Sequence, residues 1–437
     1  MRRLAAAALV ALGLAGPAAA EIEIQRVTSP GGITAWLYEE HSLPMLNIEA
    51  SFQGGAALDP PGKAGAARMM AALLTEGAGE RDATAFAEAT EALAAGIGIR
   101  AGSDSVAVSA RMLTENRDAA LELLRSALLE PRFDPEAVER VRQQLLSAAR
   151  DAESDPNAIA GRAFYGDAFP GHPYAAPTDG TVESIAGLDL ADLGAAREAT
   201  LARDRLRLAV VGDISAGELG PLLDQVFGGL PAAGPPLPPV AEPHTPGTTR
   251  VIDFDIPQSV VLFGQPGIAR SDPDFIPAYV MDHMLGGGGF GSRLMQEVRD
   301  KRGLTYGIST WLASGDFGWL YMGGFSTANA RAGEAIDLVR AEWRRMAEQG
   351  VSPEELEAAK RYLTGAYPLR FDGNGQIAGE LLGLQVAGLG PEYVNERNAL
   401  VEAVTVEDVA RVARRILRPE ALTFVIVGRP EGLAAAN

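Results

Sequence analysis

The chain has 437 residues, enough for two or three domains, and 47% of them are apolar, so it buries sizeable cores and is not disordered. Its formal net charge of −19 argues against a nucleic-acid binder, which needs a basic face to meet phosphates. The lack of cysteine removes disulfides, thiolate zinc sites, iron–sulfur clusters and cysteine nucleophiles together.

At the N-terminus, Arg2 and Arg3 precede an apolar run from Leu4 to Leu14, which Gly16 and Pro17 break. Ala18-Ala19-Ala20 then offers a small-residue cleavage site before Glu21. This is the three-part layout of a secretory signal peptide over residues 1–20, and its apolar run is too short to span a bilayer. No later segment is apolar for long enough to span one. The expected mature chain starts near Glu21 and is periplasmic or secreted, with the two arginines pointing to a bacterial periplasm.

A proline-dense stretch from Pro231 to Pro246 reads PAAGPPLPPVAEPHTP, the composition of a semi-rigid linker. Taking the linker as residues 231–249, the chain divides into halves at 21–230 and 250–437. The first half opens with strand signals at Ile33–Tyr38 and Leu46–Phe52, then helices at Ala64–Leu74 and Ala83–Ala95. A strand at Ser105–Met112 and helices at Arg117–Leu129 and Pro135–Ala152 follow. The second half repeats this plan. It has strands at Ser259–Gly264, Leu304–Leu312 and Leu320–Ser326, a helix at Asp274–Leu285, and a helix pair at Ala330–Gln349 and Pro353–Tyr367. The later helix of each pair starts alike, with Asp134-Pro135-Glu136 in one half and Ser352-Pro353-Glu354 in the other. Each half also ends on a buried-type strand stopped by glycine, Leu206–Val211 before Gly212 and Leu422–Val427 before Gly428. Recurrence in the same order predicts a duplicated α+β domain, each copy an antiparallel-rich sheet with helices packed on it.

The most distinctive stretch runs from Gly286, Gly287, Gly288 and Gly289 through Phe290-Gly291-Ser292-Arg293-Leu294 to Tyr306. Four glycines predict a flexible loop that permits close approach, and Ser292 is placed to cap a following helix. Leu294, Met295 and Val298 share one side of that helix, Gly303 stops it, and the chain enters the strand at Leu304. The loop lacks the GxxxxGK[ST] spacing of a phosphate loop. From the residues alone, Arg299 suits a helix C-terminus, where the dipole favours a cation, and Tyr306 suits strand packing.

A Gly-rich turn followed by S-R-L-x-x-x-x-R-x-x-x-G-L-x-Y resembles the C-terminal-half signature of the pitrilysin/insulinase metallopeptidases. That family includes the mitochondrial processing peptidase subunits and the bacterial two-subunit peptidases. Gly54-Gly55-Ala56-Ala57-Leu58-Asp59, and Gly171-His172-Pro173-Tyr174 with Gly180, resemble further family segments. The resemblance covers nearly the whole mature chain and implies two homologous α/β-sandwich halves closed as a clamshell. It implies that Arg299 and Tyr306 reach a zinc-bearing partner and hydrogen-bond peptide substrate near the scissile carbonyl. It also implies a substrate-binding or hinge role for Gly286–Gly289. The chemistry is apt, since a phenol donates to a developing oxyanion and a guanidinium offers fixed donors.

Family peptidases carry H-x-x-E-H on a first-half helix, with two histidines on zinc, a glutamate as general base, and a further glutamate ligand on a later helix. The matching pentad here is Arg68-Met69-Met70-Ala71-Ala72, so Arg68 and Ala72 replace the histidines and Ala71 the base. Between Arg140 and Arg150 there is no carboxylate. The four histidines, His41, His172, His244 and His283, are too far apart in sequence to pair on one helix face. Asp253/Asp255 and Glu88/Glu91 read as solvated charges, and there is no GxSxG elbow. The expectation is a metal-free, non-catalytic subunit similar to the processing peptidase alpha subunit. Zinc is then expected in a homologous partner, with no cofactor in this chain. The alternatives are a structural or peptide-binding scaffold and an independent peptidase with an unrecognised metal site.

Overall fold

The structure, a computed structural model, describes residues 23–433; the signal peptide expected over residues 1–20 lies outside them. The first half contributes β1 (Gln25–Thr28), β2 (Thr34–Glu39), β3 (Met45–Gln53), a short ribbon of β4 (Gly77–Ala78) and β5 (Arg81–Asp82), β6 (Gly96–Ala101), β7 (Ser105–Leu113) and β8 (Leu206–Gly212). The second contributes β9 (Thr249–Asp253), β10 (Gln258–Pro266), β11 (Ile308–Ser314), β12 (Trp319–Ala328) and β13 (Thr423–Gly428). The large sheets run β1-β2-β8-β3-β7-β6 and β11-β12-β10-β13-β9. In each, three antiparallel pairings lead to one parallel pairing, β2 with β8 and β9 with β13. Apart from the extra β1, the two sheets are the same object, and the duplication read from the sequence stands.

Strand alternation sets the cores. On β3, Leu46, Ile48, Ala50 and Phe52 point inward and meet Val106, Val108, Ala110 and Met112 of β7. The helices Ala66–Leu73 and Arg117–Leu129 cover this face with Met69, Met70, Leu121 and Leu124. The second sheet buries Phe263, Phe325 and Phe424 against Trp343 of the helix Ala332–Gln349. Each such fully buried side chain contributes roughly 1.5–3 kcal/mol.

The halves also exchange helices, which periodicity does not reveal. The helix Pro156–Ala168, from the first half, lays Ala160 and Phe164 on the outer face of the second sheet against Met322, Val425 and Val427. Gly264 permits this close approach, because a Cβ there would stand 2.8 Å from the Phe164 ring. The helix Asn374–Val386, from the second half, does the converse, packing Ile377, Ala378 and Leu381 on Trp36, Ala209 and Val211 of the first sheet. Its Gln385 amide donates to the Leu208 carbonyl at 2.7 Å. Helices Tyr393–Glu402 and Val406–Ile416 are likewise beyond the expected elements. So is β6: the helix expected to run to Ala95 stops at Ala92, and Ala94 turns the chain with a φ of +48°.

The proline-rich stretch is irregular but strapped down. Arg205 donates to the Pro235 carbonyl at 2.6 Å, and the Ala241 and His244 amides reach Phe317 and Ala168. The turn between β11 and β12 is pinned to the first half. Asp104 accepts from the Tyr174 hydroxyl at 2.6 Å and from the Asp316 amide at 3.2 Å, while Tyr174 accepts from the Phe317 amide at 2.9 Å. Gln53 donates to Asp316 at 2.7 Å. Tyr174 of the His172-Pro173-Tyr174 segment is thus a strut between halves.

Glu49 lies on the outer face of β3, partly buried and without a hydrogen-bond partner among the described residues, and burial pushes its carboxyl up to about 7 from an ordinary 4.5. Below the ordinary value the group is neutral in both folded and unfolded chains. As pH rises toward the folded value the unfolded chain ionises first, so the native state loses stability. Glu49→Gln is expected to raise the unfolding free energy from urea melts at pH 8, by about 1 kcal/mol after discounting for solvent screening, and to leave it unchanged at pH 4. Equal effects at the two pH values would contradict this.

Candidate functional site

The Gly-rich stretch is wound rather than loose. The helix Phe275–Asp282 continues as a π-helical turn through His283–Gly287. Gly286 is buried there, and a Cβ on it would stand 2.5 Å from the Thr310 hydroxyl, so close packing rather than flexibility requires that glycine. Of the four, only Gly289, at a φ of +61°, turns the chain where no L-residue sits easily. Ser292 does not cap the next turn with its side chain; its hydroxyl donates back to the Gly289 carbonyl at 2.8 Å.

The S-R-L motif divides into anchors and free groups. Leu294, Met295 and Val298 are buried. Arg293 is buried too, and its guanidinium bonds both Glu355 oxygens at 2.8 and 2.9 Å and the Gly350 carbonyl at 2.9 Å. Glu355 also receives the Ser352 amide in a capping box, so Arg293 ties the motif to the helix Pro353–Ala366. Asp134, the matching cap in the first half, makes no such bond and instead holds Arg132. Lys301 and Arg302 both hold Glu297, at 2.6 and 2.8 Å.

Arg299 and Tyr306 are not used in this way. Arg299 lies on the π-helical turn Met295–Asp300; among the described residues its guanidinium bonds only the neighbouring Asp300, at 2.7 Å, and it sits 4.9 Å from the centre of the Phe290 ring. Tyr306 is 90% exposed, and its hydroxyl has no partner among the described residues. It is not on a strand, as expected from Leu304–Leu312: the Leu304 amide bonds the Val298 carbonyl, Thr305 folds onto Gly307, and pairing starts only at Ile308 opposite Phe325. Both residues line a depression of about 500 Å³ with Gln258, Gly303 and Ser326. Tyr306 also borders a groove of about 470 Å³ over the open face of β10–β12, with Ser309, Trp311, Gly324 and Leu262. Trp311 in this groove and Phe290 beside the Arg299 guanidinium are residues that spacing alone does not single out. Phe290, 70% exposed, stands among glycines outside any apolar period, which is the signal that could have found it.

The pentad lines neither depression. Its helix starts after Gly65 and is capped by Asp59, which accepts from the Gly65 and Ala67 amides at 2.9 Å each. Burial pushes the Asp59 carboxyl up to about 6 despite those donors. Arg68 bonds Asp179 at 3.1 Å, Ala71 is buried, and Ala72 is partly buried. Asp179 borders a cavity of about 590 Å³ to which the later helix contributes Ala148, Ala149 and Ala152. A guanidinium that stays charged and alanines without donor atoms do not fit a zinc site, which takes three protein ligands. Among the described residues no cluster of three or more His, Cys, Asp or Glu suits a metal. Of the other histidines, His41 bonds Asp213 and Glu39 at 2.8 and 3.3 Å, and His283 stacks on Tyr362. No helix among the described residues is long and apolar enough to cross a membrane.

Residues 38–182 match the family described as insulinase (peptidase family M16), and residues 187–363 match the peptidase M16 inactive domain. The chain is 30% identical over 363 residues to the non-peptidase homolog YmxG of Helicobacter pylori, covering 83% of each chain. It is 23% identical over 417 residues to the mitochondrial-processing peptidase beta subunit of Blastocladiella emersonii, covering 93% of this chain and 89% of that one. The crystal structure of a peptidase M16 inactive domain from Pseudomonas fluorescens has a TM-score of 0.88 at 29% identity, covering 95% of this chain and 99% of that one. With its duplicated sheets, its signature stretch and these relatives, the chain belongs to the M16 peptidase family.

Proposed function

We propose that this chain is the non-catalytic subunit of an M16 peptidase heterodimer and lends Arg299 and Tyr306 to a zinc-bearing partner. The carrying observation is Tyr306, an almost fully exposed phenol with no partner among the described residues, on a motif whose neighbouring residues are anchored. A free phenol on an anchored segment is available to a group from outside the chain. The Tyr306 hydroxyl then donates to the oxyanion that develops at the scissile carbonyl, and Arg299 donates to the adjoining peptide backbone. The groove bordered by Trp311 receives the flanking peptide residues. The non-peptidase description of the Helicobacter pylori relative supports a chain inactive alone. The signal peptide expected at residues 1–20 supports a periplasmic or secreted complex.

Zinc analysis of the isolated chain is expected to find no stoichiometric metal. Arg68→His with Ala71→Glu and Ala72→His is expected not to restore it, because the later helix still presents only Ala148, Ala149 and Ala152. One tightly held zinc per wild-type chain would overturn the reading. Coexpression with a relative bearing the full H-x-x-E-H motif is expected to yield a one-to-one complex by size exclusion.

A further inference from the structure

The outer face of the first sheet is covered by the exchanged helix over β3 and β8 but is open over β6 and β7, where Arg100, Ala107, Ser109 and Arg111 are exposed. The register gives this face a floor of small residues. Gly98 and Glu49 flank Ser109, and Arg100 and Ser51 flank Ala107. Gly96 and Asn47 flank Arg111, and Arg207 stands beside Ser51. Three arginines therefore mark the edges of a trough: Arg100 and Arg207 in one row, Arg111 four residues along β7.

None of the three makes an ion pair, a side-chain hydrogen bond or an aromatic contact among the described residues; Arg207 acts on Asp316 only at longer range, through its charge. Elsewhere in the first half Arg125, Arg132 and Arg140 each hold a carboxylate. In a chain of net charge −19, acids to neutralise these three are not scarce. Their guanidiniums are left without an internal counter-ion and are free to pair with an arriving anion. With strands about 4.8 Å apart and a rise of about 3.3 Å per residue, Arg100, Arg207 and Arg111 are about 14 to 16 Å apart at the backbone. That is close to the separation of side chains about four residues apart on an extended polypeptide. Glu49 in the middle of the floor opposes an acidic ligand weakly, since burial keeps much of it neutral near pH 7. Asp316 at the rim is already held by Gln53. The exposed part of the face carries no aromatic ring on which a nucleic-acid base could stack.

We propose that this face binds an extended, acidic stretch of polypeptide, its main chain lying on the small-residue floor and its carboxylates reaching Arg100, Arg111 and Arg207. This deepens the proposed function by naming the substrate class, and it rests on that reading only for the fate of the bound peptide. The test uses the chain alone, so failure to find a zinc-bearing partner leaves its outcome intact.

Fluorescence anisotropy with a labelled Glu-Ser repeat peptide is expected to show binding that weakens steeply with added salt. Arg100→Ala/Arg111→Ala/Arg207→Ala is expected to lower the affinity by about tenfold or more. The pair Arg100→Ala/Arg111→Ala, both on the surface, is expected to retain the wild-type Tm and still lose several-fold. An absence of binding to the wild-type chain would overturn the proposal, as would an unchanged affinity in the folded double variant. So would equal binding of a Lys-Ser peptide or of a single-stranded oligonucleotide.

Discussion

Tyr306→Phe is expected to lower kcat of the assembled peptidase by about 100- to 1,000-fold, the usual cost of removing one oxyanion donor. The phenol is solvated in the free chain, so its removal opens no cavity and breaks no hydrogen bond in the fold. Stability and complex formation should therefore match the wild type, by thermal melt and by size exclusion. Because the bond strengthens only as charge develops on the carbonyl oxygen, KM should change far less than kcat. A wild-type kcat in the Tyr306→Phe complex would remove Tyr306 from the chemistry.

The second large effect concerns the fold. Phe164→Ala is expected to destabilise the protein by about 3–5 kcal/mol, as for other large-to-small changes of a fully buried aromatic. Phe164 comes from the first half of the chain but fills the outer face of the second sheet, against Met322 and Val427. Its loss should therefore be felt across the molecule. Hydrogen exchange is expected to speed up in β10 and β13 of the second half as well as in the helix Pro156–Ala168. A loss of less than about 1 kcal/mol, or exchange confined to that helix, would mean that the exchanged helices do not couple the halves.

Much of this architecture is legible in the residues. The helices Arg117–Leu129 and Pro353–Ala366 and the strands around β3, β7 and β12 follow from apolar period and capping chemistry. The helix exchange is not legible, because a period names the buried face of a helix and not the sheet that buries it. Pro156–Ala168 is rich in alanine and glycine, and its apolar face is defined by Ala160 and Phe164 meeting residues more than a hundred positions away. β6 is hidden by its glycines, Gly96 and Gly98, which carry no side chain to show strand alternation.

At the site, the resemblance to the family signature selects Arg299 and Tyr306, and against that family's motif the degenerate pentad is plain from Arg68, Ala71 and Ala72. The Gly286–Gly289 stretch reads as loose but is not, since glycine frequency carries no information on whether Thr310 lies against the backbone. Tyr306 reads as a strand residue because its surroundings alternate, whereas the Val298 carbonyl holds Leu304 in a helix-terminating turn. The open basic face of Arg100, Arg111 and Arg207 depends on cross-strand register, which only the pairing of β3, β6, β7 and β8 reveals.

The most direct measurement is peptide hydrolysis by three samples: this chain alone, a zinc-bearing M16 partner alone, and the two mixed. The account predicts negligible turnover from this chain and a chelator-sensitive activity in the mixture well above that of the partner. Chelator-sensitive hydrolysis by this chain alone, or a mixture no more active than the partner, would contradict it.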